Sequence, residues 1–219
     1  MDPKNERRAE RERMVEEQIA DRDIRDPAVL DAMRRVPRHR FMPEMYASEA
    51  YADHPVPIGW EQTISQPYIV AFMTEAARVG VLGAHAKVLE IGSGSGYQAA
   101  VLAELGAEVW GIEIVAPLAA RAAEVLAELG YDRVHVRAGD GFRGEPSQAP
   151  FDAILVTAAA PRVPEPLLEQ LKIGGRLVIP VGTFTQDIWV ITRKDHGYQR
   201  DRVLPVRFVP MIGEVERSE

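Results

Sequence analysis

Residues 88–97 read VLEIGSGSGY, an apolar run that breaks into three alternating glycines, Gly92, Gly94 and Gly96, and Glu113 follows at the end of the next apolar run. Glycine lets the backbone turn sharply and come close to a ligand, and an acid after the second strand accepts hydrogen bonds from ribose hydroxyls. The combination predicts a site for a nucleoside-bearing cofactor, either a dinucleotide or S-adenosylmethionine. Spacing favours the latter: Gly92-Ser93-Gly94-Ser95-Gly96 is not GxGxxG, and the chain has no second glycine-rich fingerprint. An ordinary βα turn is also tight, but it needs fewer glycines than these.

Other reactive residue types say less by themselves. Asp140 stands before Gly141, as a turn or cap residue would, or as an acceptor beside the cofactor's base. Ser65 precedes Pro67 and an amphipathic stretch, the place of a helix N-cap. His54, beside Pro55, has no visible acid to orient it and reads first as a surface or packing histidine. His39, His85, His135 and His196 are scattered without metal-ligand spacing, so no metal centre is expected.

The elements that must position these groups follow from pattern. With 219 residues, one principal domain with a modest N-terminal extension is expected, divided into N-terminal helices and a substrate loop over residues 1–80 and a cofactor-binding core over 81–219, packed as one body. Val15 and Ile19 share one face of a charged helix within residues 6–20, and Asp26-Pro27 caps a second helix that Val36-Pro37 stops. Pro43, Pro55, Pro57 and Gly59 preclude a long element between residues 41 and 60, yet its aromatic content requires it to lie on the domain or over a ligand. Residues 66–79 form a helix with a broad apolar face.

From Lys87 strands and helices alternate. Strands are expected at 88–91, 109–114, 134–136, 153–156, 177–181 and 188–191, and an edge strand at 206–209 between Pro205 and Pro210. Helices are expected at 97–105, from Pro117 to Leu129, and at 164–171, the last ended by Gly174-Gly175. Near-continuous apolar strands with amphipathic helices between them imply an α/β, doubly wound, mostly parallel sheet covered on both faces, with ligands at the carboxyl ends of its strands. Gly92, Glu113, Asp140 and residues 157–160 all fall at those ends.

Composition narrows the class. Cysteine is absent, which excludes disulfides and cysteine nucleophiles and is compatible with a reducing compartment. The start, MDPKNERRAERERMVEEQ, is charged from its first residues, and no later stretch is long and apolar enough to span a bilayer; cytoplasmic residence away from membranes is the expectation. The 26 Lys and Arg against 33 Asp and Glu give a net charge of −7, and the early arginines are interleaved with acids, as on a solvated helix face. Nucleic acid is therefore not an expected partner.

With these elements in place, the chain resembles the protein-L-isoaspartate O-methyltransferases. The resemblance is carried by ADHPVPIGWEQTISQPYIVAFM around Ser65, VLEIGSGSGYQAAVLAELGAEVWGIEI, the GDG at residues 139–141, FDAILVTAAAP, LLEQLKIGGRLVIPVG and PVRFVPM, which together cover most of the chain. The glycine motif is shared by many S-adenosylmethionine enzymes; TISQP combined with TAAAP is much more restrictive. The resemblance implies a Rossmann-like fold of the class I methyltransferase type with N-terminal helices and a C-terminal strand extension. It also implies a monomer that transfers a methyl group to the free carboxylate of L-isoaspartyl, and to varying extents D-aspartyl, residues in aged proteins and peptides. The methyl ester then closes to a succinimide, whose hydrolysis returns some normal aspartate.

The same resemblance assigns roles. Ser65 and Thr63 are expected at the reaction centre. Glu90, Gly92, Ser93, Gly94, Gly96, Glu113, Ile114, Asp140, Gly141 and Thr157 are expected around S-adenosylmethionine, and Trp60, Ile64, Gln66, His54, Ala159, Val209 and Pro210 around the substrate. One position departs from the family: where many members read IGYGQTIS, this chain has Gly59-Trp60-Glu61-Gln62, which sets a bulky acid beside the substrate loop. The alternatives are a methyltransferase for another acceptor, an NAD-dependent oxidoreductase, which the glycine spacing disfavours, and a cofactor-binding module without catalysis.

Overall fold

The structure, a computed structural model, describes residues 6–216; the charged residues 1–5, which carry part of the expectation about the compartment, lie outside them. Helix α1 (Arg8–Val15) continues into a π-helical turn at Glu16–Ala20, and it buries Met14, Val15 and Ile19 as the periodicity requires. The Asp26 carboxylate accepts from the Ala28 amide at 2.9 Å and caps α2 (Pro27–Arg35), which Val36-Pro37 ends. Prolines then restrict the chain to two short 3₁₀ turns and a hairpin, β1 (Val56–Gly59) and β2 (Gln62–Ile64). Helices α3 (Pro67–Ala76) and α4 (Val79–Leu82) lead into the sheet.

Strands β3 (Lys87–Ile91), β4 (Glu108–Glu113), β5 (Val134–Ala138) and β6 (Phe151–Val156) alternate with α5 (Tyr97–Glu104) and α6 (Ala116–Glu128). Helix α7 (Glu165–Glu169) precedes β7 (Leu171–Val181), β8 (Gln186–Arg193) and β9 (Tyr198–Val206). The sheet order is β5-β4-β3-β6-β7-β8-β9, parallel from β5 through β7 and antiparallel through the last two strands. The chain turns outward in opposite directions from β3, so the mouth of the crevice lies between the ends of β3, β4 and β6.

Alternation along β3 shows how the sheet is covered. Val88 joins the apolar cluster under α3 and α5, while Leu89 and Ile91 join the opposite one with Leu167 and Leu168 of α7. The N-terminal helices do not hang free: Met14, Ile19, Val29 and Met33 share a cluster with Tyr97 and Val101 of α5 and Leu118 and Leu126 of α6.

Two expectations need correction. The helix at 164–171 is shorter, and Gly174-Gly175 does not end it; both lie inside β7, where residues 171 to 176 face only 151 to 153 of β6. A Cβ on Gly175 would sit 2.9 to 3.1 Å from three carbonyl oxygens, so the pair makes room for a β-bulge. The edge strand is 198–206 rather than 206–209. Arg200, Asp201 and Arg202 are exposed along it, so it lacks the apolar run that marks an inner strand, and charge protects its open side.

Candidate active site

The glycine turn sits where three strands end. Gly92 donates to the Ile112 carbonyl at 2.8 Å, and Gly94 donates to the Glu113 carboxylate at 2.7 Å. The other Glu113 oxygen accepts from Val115 at 2.9 Å, which fixes an almost buried acid beneath the turn. A carboxylate has about four acceptor sites. The backbone bonds therefore leave it capacity for further donors. Gly92 has φ +87°, and a Cβ there would stand 2.9 Å from the Thr157 hydroxyl; Gly96, also at φ +87°, abuts Leu126 and Ala122 of α6. The turn thus needs glycine for conformation and for space.

A cleft opens over this turn. It gathers Thr63, Ile64 and Ser65 from the hairpin side, Glu90, Gly92, Ser93 and Gly94 from β3 and its turn, Glu113 and Ile114 from β4, and Gly141, Thr157, Val209 and Pro210 from the other strand ends. Among the described residues lining it, the only charged side chains are Glu90 and Glu113. Glu90 lies on the α5 face of β3, fully buried, and neither carboxylate oxygen has a hydrogen-bond partner. Burial pushes its carboxyl up to about 8; the Ser93 hydroxyl opposes the rise and the Glu113 carboxylate adds to it. The Ser93 hydroxyl is buried and unpartnered as well.

A second cavity, of about 490 Å³, adjoins the first and shares Thr63, Ser65, Thr157 and Val209 with it. Its only charged lining residue among those described is Arg207. Gln66 also lines it, and the Gln66 side chain donates to the Asp53 carbonyl at 3.1 Å. Thr157 is committed to structure, since its hydroxyl donates to the carbonyls of Gly92 at 2.5 Å and Ile91 at 3.1 Å. Ser65 is half-buried, and among the described residues no hydrogen bond to its hydroxyl is formed; the N-cap position of α3 is Gln66, without a side-chain cap. The N-cap reading of Ser65 is thereby removed, leaving an uncommitted hydroxyl at the junction of two cavities.

Five expected residues stand outside both cavities, the first being Gly96, which turns onto α6. Asp140 is exposed, with its carboxylate accepting from Phe142 at 2.9 Å and from Glu214 at 2.7 Å; its neighbour Gly141 is the residue that reaches the cleft. Ala159 is buried in a two-bond bridge to Val209 and Met211, both bonds 2.8 Å. His54 is on the surface, and it does have an acidic neighbour, Glu49 at 3.6 Å, contrary to the sequence reading. Trp60 is 54% exposed at the hairpin tip. There Trp60 and Glu61 both have positive φ, 49° and 59°, as a two-residue primed turn requires, so Glu61 occupies a left-handed position that glycine suits better.

Sequence reasoning passes over Gln98, Ile212 and Arg207, whereas Met211, which it reads with Val209-Pro210 as a substrate contact or as edge packing, lines the cleft. Gln98 bonds Thr74 of α3 at 2.8 Å, joining the two helices behind the cleft. Nothing local marks it, because a glutamine in a helix is ordinary. Arg207 interrupts the proline-bounded apolar run 206–209 and Met211 follows it, which is the available signal.

A doubly wound sheet with a glycine turn at its switch point, and a cleft whose charge is wholly acidic, belongs to the class I S-adenosylmethionine-dependent methyltransferases. A pyrophosphate would meet repulsion from the Glu113 carboxylate, whereas a ligand bearing an ammonium and a sulfonium meets that carboxylate and the Glu90 carboxyl, whose ionisation a nearby cation favours. The family model described as Protein-L-isoaspartate(D-aspartate) O-methyltransferase (PCMT) matches residues 9–216, and the chain belongs to that family. It is 61% identical to the protein-L-isoaspartate O-methyltransferase of Opitutus terrae over 94% of this chain and 88% of that one. The enzyme of the same name from Gloeobacter violaceus is 58% identical over 92% and 98%. Among solved structures, a beta-aspartate methyltransferase from Plasmodium falciparum in complex with S-adenosyl-L-homocysteine superposes with a TM-score of 0.82 at 28% identity, covering 92% of this chain and 98% of that one.

Proposed function

We propose that this protein uses S-adenosylmethionine to methylate the free carboxylate of L-isoaspartyl residues, and to some extent D-aspartyl residues, in damaged proteins and peptides, and so begins their repair through a succinimide. The observation that carries the proposal is the junction: the Thr63 and Ser65 hydroxyls line both an acidic cleft and an adjoining cavity whose charged residue is an arginine. A cationic cofactor suits the first, and the two hydroxyls at the junction can donate to a carboxylate of a peptide that occupies the second.

The residues present fit the cofactor. Glu90 and Ser93 offer buried, unpartnered acceptors to its ammonium end, Glu113 keeps acceptor capacity for the ribose diol, and the glycine turn leaves room for close main-chain approach. Ile114 and Gly141 flank the side toward the base. When bound, S-adenosylmethionine supplies an electrophilic methyl group on a positively charged sulfur.

The substrate acid has an ordinary pKa of about 4 and is ionised at neutral pH, so no general base is required. The chain's task is alignment and exclusion of water. Thr63 and Ser65 donate to the carboxylate and fix the direction of its attacking oxygen; Ile64, Val70 and Val209 make the surrounding wall apolar. In strongly preorganised cases such alignment supplies up to about 7–11 kcal/mol. Val209 and Pro210, held by Ala159, form the far wall.

The test uses purified protein, S-adenosylmethionine and two peptides differing only in L-isoaspartate against L-aspartate, with base-labile methyl ester and released methanol as the readout. Methylation confined to the isoaspartyl peptide is expected; equal failure on both, with the protein folded and binding the cofactor, refutes the substrate assignment. The proposal extends to a monomer working in the cytoplasm, which light scattering and cell fractionation test.

A further inference from the structure

A third cavity, of about 430 Å³, continues from the second. The two share Pro205, Val206 and Arg207, and the third ends at the β7–β8 hairpin tip, where Phe184 is 102% exposed. A groove therefore runs unbroken from the methyl-transfer junction along residues 205–209 to an aromatic with no packing partner. Its floor is firm: the Gln186 side chain accepts from the Phe208 amide at 2.6 Å and donates to the Phe208 carbonyl at 3.2 Å. Arg207 stands midway, exposed, lining both outer cavities but not the cofactor cleft, and its guanidinium makes no ion pair or hydrogen bond among the described residues.

Resting on the isoaspartyl reading, we propose that peptide substrates extend past the reacting residue along this groove, with Arg207 selecting an acidic side chain flanking the isoaspartate and Phe184 packing on the apolar part of the chain beyond it. The occupant is a peptide because the groove is continuous with the reaction site and passes beyond it to the β7–β8 hairpin. An acidic side chain is selected because, among the described residues, Arg207 is the sole charge lining the second and third cavities. Arg207 does not serve the reacting carboxylate, since it is absent from the cleft where that group meets the methyl donor, and a guanidinium on that carboxylate would quench its nucleophilicity.

Isoaspartyl dodecapeptides carrying Glu, Gln or Lys at one scanned flanking position are assayed for kcat and KM with wild type, Arg207→Ala, Arg207→Glu and Phe184→Ala. At one or two positions on one side of the isoaspartate, wild type should show a KM about two- to five-fold lower for Glu than for Gln, the range of an exposed ion pair, shrinking with added salt. Arg207→Ala should abolish that difference and Arg207→Glu reverse it in favour of Lys, both in KM; Arg200→Ala, on the edge strand outside the groove, should retain it. Phe184→Ala should raise KM for the dodecapeptides and not for peptides cut short of the hairpin. A wild type that methylates isoaspartyl peptides without flanking charge preference, or a preference surviving in Arg207→Ala, overturns the inference while leaving the function standing. A collapse of kcat in Arg207→Ala overturns it too, by placing the guanidinium on the reacting acid. Failure on every isoaspartyl peptide instead removes the functional reading beneath it.

Discussion

Ser65 and Glu90 carry opposite kinds of unfinished business: a hydroxyl with no partner at a cavity junction, and a carboxyl buried without one. Because Ser65 caps nothing, Ser65→Ala should leave stability within about 0.5 kcal/mol while lowering kcat at least ten-fold, with S-adenosylhomocysteine affinity nearly unchanged. Paired unfolding and turnover measurements check this, and a loss of stability with turnover kept would return Ser65 to a structural role. For Glu90 the folded protein holds the proton to about pH 8 against an ordinary 4.5. Between those values the unfolded chain has released a proton that the folded chain keeps, so this group's stabilising contribution is complete below about 4.5 and is lost as pH rises toward 8. Glu90→Gln should therefore stabilise the ligand-free protein at pH 7 by roughly 2 to 3 kcal/mol, with the advantage fading toward pH 4.5, and should weaken cofactor binding. Denaturant melts across pH with calorimetric titration read both, and an advantage independent of pH would refute the assignment.

Elements bring these residues together through a few side-chain clamps. Gln186 of β8 holds the main chain of Phe208, Ala159 holds Val209 and Met211, and Asp140 holds the amide of Glu214, so the segment after β9 is fixed against the cleft at three points. Gln186→Ala removes two bonds to backbone and should cost about 1 to 2 kcal/mol, with KM for isoaspartyl peptides rising several-fold while cofactor affinity holds. Kinetics beside binding titrations test it; an unchanged KM would show that the segment does not need the clamp. The apolar patterns of α2, β3, β4, α6 and β6 were readable because each repeats the period of its element. The bulge of β7 and the polar edge strand β9 were not, since glycine pairs serve as helix stops and bulges alike, and a charged edge carries no burial signal.

At the scale of the molecule, charge is divided between the two halves of one site, acidic around the cofactor and basic along the substrate side. The cofactor half makes a prediction that separates ligand classes. S-adenosylhomocysteine at a hundred times its Kd should stabilise the protein by about 2.7 kcal/mol, whereas NADH, which brings a pyrophosphate to a cleft whose charge is acidic, should not shift the melting temperature. Thermal melts with both ligands decide it, and protection by NADH would overturn the cofactor assignment. The N-terminal helices share a core with α5 and α6, so the hairpin that carries Thr63 and Ser65 is set against the turn that carries Gly92–Gly96 by packing rather than by a hinge.

The chain's own order of residues determined the strand-and-turn unit, its glycines, the acid at the end of β4 and the family resemblance around TISQP, because these depend on local conformation and spacing. Only the tertiary structure decided that Ser65 is not a cap, that Asp140 braces the C-terminal segment outside the cleft, that Glu90 is buried without a partner, and that Arg207 faces the outer groove. Those outcomes turn on which groups from distant parts of the chain come within bonding distance and which are shut away from water. Spacing along the sequence carries neither.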